Sequence, residues 1–289
     1  MFFKELNSET KDDLKNYFED RDYAIIAVPK EDPVRVYVIK ADRTVETARR
    51  IHRLDPYSTV RLGEWLLSAL ILTSLLKHAS PQKVLLKFVD KEESIVAEAD
   101  GKGRVRGFIS FVPQKVEQAV ITVVKELRMG TPYTSIVPAV GKDIKENLLY
   151  YFQQSEQIRT AVDMAVLLNE DGSVKHAGAY MVQTMGGTSP KVEKLLQERI
   201  KSLPPHSHIL SLEKRPEDVV EDILFDMEPR IVGLKEVEYY CPCNEEIAKT
   251  ALHLLSKEEV EEILSEGPAE VVCNFCGRVY RFDKNSIFS

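Results

Sequence analysis

The sequence predicts an α+β fold: a large N-terminal domain with a hairpin-rich sheet, a helical linker, and a small C-terminal metal-binding domain. Three observations carry this. β-branched and aromatic runs alternate with helical-period runs and join through tight turns, which favours hairpins over a doubly wound sheet. The texture changes at Ser189-Pro190. All four cysteines, Cys241, Cys243, Cys273 and Cys276, fall near the C-terminus. The expected boundaries are 1–188, 189–235 and 236–289.

In chain order, "YAIIAVP" (23–29) and "VRVYVIKA" (34–41) are strands around the turn signal Glu31-Asp32-Pro33. Apolar residues recur at helical spacing over 44–53 and 58–77. Trp65 to Leu76 is the most apolar run, too short to span a bilayer, and reads as a buried helix. "KVLLKFVD" and "SIVAEAD" are paired strands, and Gly101-Lys102-Gly103 turns into "VRGFISF". "QAVITVVKEL" and "TSIVPAV" continue the β character. "DIKENLLYYFQQSEQI" is a helix, and "TAVDMAVLLN" and "AGAYMVQT" are strands joined around Asp171-Gly172.

Ser189 as N-cap and Pro190 at the first helical position open "KVEKLLQERIKSL", which Pro204-Pro205 ends. A second helix starts at Pro216. These helices need a surface to lie on. In the last part Asn244 caps "EEIAKTALHLL", Ser256 and Glu259 form a capping box, and "AEVV" and "RVYRF" flank Cys273 to Gly277. So small a unit buries little of its own surface and needs a metal or disulfides.

Charge argues against nucleic acid. Residues 1–190 carry 26 charges of each sign, residues 191–240 carry 8 basic against 11 acidic, and residues 241–289 carry 5 against 9. A module that neutralises phosphates should be basic. "MFFKELNSET" lacks the pattern of an export signal, which points to a cytoplasmic chain in a reducing compartment. Clustered cysteines there are metal ligands or redox switches more often than permanent disulfides.

Cys-x-Cys, 29 residues, then Cys-x-x-Cys-Gly suits one tetrahedral Zn²⁺ held by Cys241, Cys243, Cys273 and Cys276. Residues two apart in an extended segment share a face, so both sulfurs of "CPC" can reach one metal. Their Cα atoms would lie about 6.6 Å apart, near the upper edge for a disulfide. Three pairings of four cysteines are possible. Local bridges would close tiny loops and leave the 29-residue gap unlinked, so loss of zinc would melt the unit; non-local bridges would preserve it.

The sequence resembles the 33-kDa chaperonin family, the redox-regulated heat-shock holdases of bacteria, over nearly its whole length. "CPC" and "EVVCNFCGRVYRF" carry the resemblance most specifically. "GRVRGF" (103–108), "PYTSIVP" (132–138), "YYFQQSEQIRTAV" (150–162) and "EDVVEDILFDMEPRIVG" (217–233) support it. "AGAYMVQTMGG" departs from the family's Gly-Gly and Leu-Pro-Gly pattern.

The resemblance implies an ATP-independent, non-enzymatic chaperone of the oxidative and heat-stress response, inactive when reduced and zinc-bound. Oxidation with heat would eject zinc and form disulfides Cys241–Cys243 and Cys273–Cys276. The C-terminal domain and linker would unfold, and a homodimer would hold unfolded client proteins. The residues themselves agree in part: the linker's Val219, Val220, Ile223, Leu224, Phe225, Ile231 and Val232 must be covered at rest, and uncovering them would expose an apolar surface suited to non-native chains.

The rival readings are a zinc ribbon that binds nucleic acid and a structural zinc module on an enzyme. No G-x-S-x-G, H-E-x-x-H or P-loop occurs; Gly141-Lys142 lacks the Ser/Thr and upstream glycine. Ser155-Glu156-Gln157 reads as helix packing, His206 and His208 as a solvated loop, His253 as helix surface, and "MGGTSP" as a turn into a helix.

Overall fold

The computed structural model describes residues 4–111, 116–127, 131–141 and 143–288; Lys142 of the Gly141-Lys142 pair lies outside them. The chain divides into two compact units, Met1–Tyr239 and Tyr240–Ser289. The fold is α+β.

The first unit opens with β1 (Lys4–Glu5), α1 (Ser8–Phe18), β2 (Tyr23–Val28), β3 (Val34–Lys40), α2 (Asp42–His52) and α3 (Pro56–Leu72). A run of hairpins follows: β4 (Lys83–Val89), β5 (Ser94–Asp100), β6 (Arg104–Ser110), β7 (Val120–Glu126) and β8 (Tyr133–Pro138). Next come α4 (Ile144–Tyr151), a π turn at Phe152–Glu156, β9 (Thr160–Leu168) and β10 (Val174–Thr184). Then α5 (Pro190–Ser202), α6 (His206–Ser211), α7 (Pro216–Ile223), β11 (Arg230–Glu236) and β12 (Glu238–Tyr239) complete the unit.

Two six-stranded sheets result, ordered β1-β11-β2-β3-β10-β9 and β12-β6-β5-β4-β7-β8. Helix α3 lies between them. Trp65, Leu66 and Leu70 pack with Tyr37 and Met181 from the first sheet and with Leu86, Phe88 and Ala97 from the second. A helix with sheet on both sides is apolar all round, which explains the unbroken hydrophobic run at 65–76. The other face of the first sheet, with Tyr23, Ile25, Val36 and Tyr180, is covered by α1, α5, α6 and α7.

Residues 189–235 thus belong to the first unit, and their last part is a strand rather than helix. β11 pairs antiparallel with β2 on one side and β1 on the other. Sequence reading missed it because Gly233 interrupts the apolar run, and the register shifts there.

His206 departs from the solvated-loop expectation. It opens α6 and is buried, 2% exposed, while His208 is exposed. Pro205 has no capping side chain; the Asp163 carboxylate on β9 accepts from the His206 amide instead, at 2.8 Å. Glu156 packs locally as expected, accepting from Lys125 Nζ at 2.7 Å and the Tyr151 hydroxyl at 2.5 Å. Ser189 caps α5 through the Val192 amide.

The second unit holds α8 (Glu245–Leu252), α9 (Lys257–Glu266), β13 (Ala269–Val272), β14 (Val279–Phe282) and α10 (Lys284–Phe288). Asn244 caps α8 and the Ser256/Glu259 capping box opens α9. Its buried apolar side chains are Ala248, Leu252, Val260, Ala269, Phe282 and Ile287.

Candidate metal centre

The approach to the cysteines is fixed within the first unit. Gly103, at φ 97, turns the chain where a Cβ would meet the Glu236 carbonyl at 2.0 Å, so only glycine fits. Its carbonyl accepts from the Glu238 amide at 3.2 Å, and β12 then pairs parallel with β6. The Tyr239 hydroxyl donates to the Gly107 carbonyl at 2.9 Å and lies 3.1 Å from His52 Nε2.

In the second unit β13 and β14 are antiparallel, with Val272 opposite Val279. The tight loop between them has the form of a metal-binding knuckle. The Cys273 carbonyl accepts from the amides of Cys276 at 3.3 Å and Gly277 at 2.8 Å, and the Cys273 amide donates to the Arg278 carbonyl at 2.9 Å. Gly277 takes φ 68, the left-handed conformation that closes the turn.

All four sulfurs converge. Cys241, Cys243, Cys273 and Cys276 place their Sγ atoms within 4.8 Å of one another, the one such group of metal-ligating side chains among the described residues. Sulfurs of different pairs lie close: Cys241 to Cys273 at 3.7 Å and Cys243 to Cys276 at 3.2 Å. A tetrahedral zinc with Zn–S of about 2.3 Å would set sulfurs about 3.8 Å apart. The donor set fits a metal: four thiols, all half-buried, with no carboxylate among them.

Outer contacts favour negative charge on one sulfur. The Tyr280 hydroxyl donates to Cys243 Sγ at 3.2 Å, and Arg278 Nη1 donates to the Cys243 carbonyl at 3.4 Å. Burial pushes the Cys243 thiol up, but hydrogen bonds from Tyr280 and the other cysteines outweigh it and bring it down to about 7. Burial and the same thiol neighbours push Cys276 up to about 12. The Tyr280 hydrogen bond thus favours the thiolate form of Cys243, and thiolates are the form that binds a soft divalent ion.

Of the residues expected to form a covered linker surface, Val219, Val220, Ile223, Leu224 and Ile231 are buried in the first unit. Val232 is half-buried, alternating outward on β11. Phe225 is a correction: it is 68% exposed. The chain reverses there through Asp226 and Glu228 at positive φ, and Arg199 holds the Phe225 carbonyl at 2.6 Å, leaving the ring outward. His253 ends α8 on the surface.

A mixed α+β unit followed by a small module with a four-cysteine metal-binding geometry defines the class of protein. The family model described as Hsp33 protein matches residues 22–283, and the chain belongs to that family. The 33 kDa chaperonin of Aquifex aeolicus is 53% identical, the match covering 99% of this chain and 94% of the relative. That of Clostridioides difficile is 32% identical, covering 92% and 97%. The crystal structure of the 33 kDa chaperonin (heat shock protein 33 homolog) of Thermotoga maritima superposes with a TM-score of 0.81 at 31% identity, covering 93% of this chain and 97% of that one.

Proposed function

We propose that this protein is a redox-regulated, ATP-independent chaperone that holds unfolding proteins in the cytoplasm, at rest when reduced and active when its four cysteines are oxidised. The convergence of four thiols within 4.8 Å in a unit with so few buried apolar side chains carries this reading. A Zn²⁺ held by Cys241, Cys243, Cys273 and Cys276 would link the two cysteine pairs and supply on the order of 10 kcal/mol of folding energy.

A peroxide-class oxidant takes two electrons from each cysteine pair, forming disulfides Cys241–Cys243 and Cys273–Cys276 and removing every ligand. In the reduced cluster Cys241 lies 3.7 Å from Cys273 and Cys243 3.2 Å from Cys276, contacts that local bridging would give up. Neither local bridge then spans residues 244–272, and the unit unfolds. The apolar side chains of α7 and β11, Val219, Val220, Ile223, Leu224, Ile231 and Val232, are the reserve that clients would meet once uncovered, with Phe225 already at the surface. The active form would be a homodimer.

The test is to treat zinc-loaded protein with peroxide at raised temperature and follow metal release, C-terminal proteolysis and client aggregation together. Metal release with no suppression of aggregation would overturn the holdase reading.

A further inference from the structure

Between α6, the start of α7 and the outer face of the first sheet lies a small cavity of about 60 Å³, lined by His206 and Leu210 of α6, Val38 and Lys40 of β3, and His176 of β10. Among the described residues, neither ring nitrogen of His206 has a hydrogen-bond partner, and Nε2 of His176 has none. A neutral imidazole carries one N–H and one lone pair. Buried His206 therefore keeps one N–H and one lone pair without a hydrogen-bond partner, the lone pair being where a proton would bind. We propose that this cavity is a proton-binding site, and that a proton taken up by the His206 imidazole undocks α6 from the sheet while the cysteines stay reduced.

The surroundings can hold a neutral ring but not an imidazolium. On β9, Asp163 is the nearest carboxylate, and it already accepts from the His206 amide at 2.8 Å, the Met164 amide at 2.9 Å and Lys145 of α4 at 3.3 Å. Asp42, at the start of α2, accepts from the Ala177 amide at 2.7 Å and faces His176 Nδ1 at 3.5 Å and Lys40 at 3.6 Å. Glu217 of α7 is taken by Arg215 and Tyr23. From β10 the Tyr180 ring meets His206 edge-on, centroids 5.4 Å apart. The turn between α6 and α7 adds Glu213 and two cations that are already paired, Lys214 with Asp222 and Arg215 with Glu217. A buried imidazolium here would lose its hydration with no carboxylate hydrogen-bonded to its ring among the described residues, Asp163 attracting it only at a distance.

The sign follows. Burial lowers the His206 pKa from 6.5 to about 4. The docked state therefore binds the proton less well than the undocked one, and docking weakens as pH falls through this window. Between pH 7 and pH 5 the opening constant of residues 203–224 should rise roughly 20-fold. That such opening bares a client-binding surface rests on the function proposed above; the proton site itself does not.

The experiment is amide exchange, as protection factors, on the reduced, zinc-loaded full-length protein from pH 7 to pH 5, with metal retention measured alongside. Protection over α6 and α7 should fall about 20-fold with metal still bound. His206→Phe should keep α6 folded, because the ring nitrogens have no partners to lose, and should flatten this response. The His206 ring resonance in the wild type should titrate well below 6.5. Unchanged protection, an ordinary His206 titration, an equal response in His206→Phe, or opening that appears only as metal is lost would each overturn the proposal. Client suppression at pH 5 is a separate readout: acid opening without suppression would refute the client-surface reading and leave the proton site standing.

Discussion

The Tyr23 hydroxyl on β2 donates to the Glu217 carboxylate on α7 at 2.6 Å, both side chains fully buried. Arg215 completes the group, reaching Glu217 at 2.6 Å and the Tyr23 hydroxyl at 3.2 Å. This is the polar attachment in an otherwise apolar contact between α7 and the sheet, and it makes the helix position specific. Burial and the Glu217 charge raise the Tyr23 phenol above its ordinary range, so it stays a donor throughout the accessible pH range.

Glu217→Ala leaves a guanidinium and a phenol without their acceptor in the interior. It should cost about 3–5 kcal/mol, the penalty for breaking a buried pair by removing one side. Urea unfolding measures the loss, and proteolysis should begin within residues 203–224. Glu217→Gln should recover part of it. A variant as stable as the parent would show that the group contributes packing alone.

Tyr280→Phe removes the hydrogen bond to Cys243 Sγ and leaves the ring in place. Outer-shell donors to metal ligands are worth about 10-fold or more in affinity. Zinc affinity, read by competition with a chromophoric chelator, should fall by about that factor. The second unit should then release metal at lower peroxide concentration. Equal affinity in the two proteins would remove Tyr280 from the metal centre.

Replacing Cys241 and Cys243 together by Ser takes away half the donor set. Tight zinc binding should disappear, and α8 and α9 should lose exchange protection while the two sheets of the first unit keep theirs. In the oxidised wild type, non-reducing peptide maps should give Cys241–Cys243 and Cys273–Cys276. Bridges between the halves, along the short separations of the reduced cluster, would rule out the unfolding step.

Asp22 gives the pH dependence of the first unit its opposite sign. It is buried, with one oxygen held by the Thr44 amide and hydroxyl at 2.7 Å and the other without a partner among the described residues. Burial raises it from 3.8 to about 6. A raised folded pKa means its stabilisation is complete below pH 3.8 and is lost as pH rises through 6. This group should therefore add up to about 3 kcal/mol to global stability between pH 7 and pH 4. The difference between wild type and Asp22→Asn in urea unfolding at the two pH values isolates it. His206 pulls the other way, so local opening of α6 and global unfolding should respond to acid differently.

Most elements of the fold were legible because their determinants are local. The caps at Ser189, Asn244 and Ser256, the turn at Asp171-Gly172 and the period-2 strands each sit inside the segment they define. Helix α6 was not legible, since its capping carboxylate, Asp163, comes from β9, and "PPHSH" alone reads as a solvated loop. The N-terminus of α2 is similar: Ala41 offers no cap, and Asp22 reaches Thr44 from before β2. The four cysteines could be read as a metal set from spacing alone, whereas Tyr280 as an outer donor could not. That role depends on β14 carrying its ring back across the knuckle, a relation between strands that spacing does not encode. Phe225 shows the reverse limit: an apolar residue in a buried helix's wake can still point outward when the next turn demands it.

Strands β10 and β11 belong to the same sheet, and residues 185–229 run between them. Whatever loosens α5, α6 and α7, the freed chain is a tethered loop and never a loose tail. Its return is unimolecular, independent of protein concentration, and its entropic cost depends weakly on length, about 0.6 kcal/mol for each doubling. Under the proposed function, anything captured on that loop would compete with a sheet face that the tether holds at high local concentration.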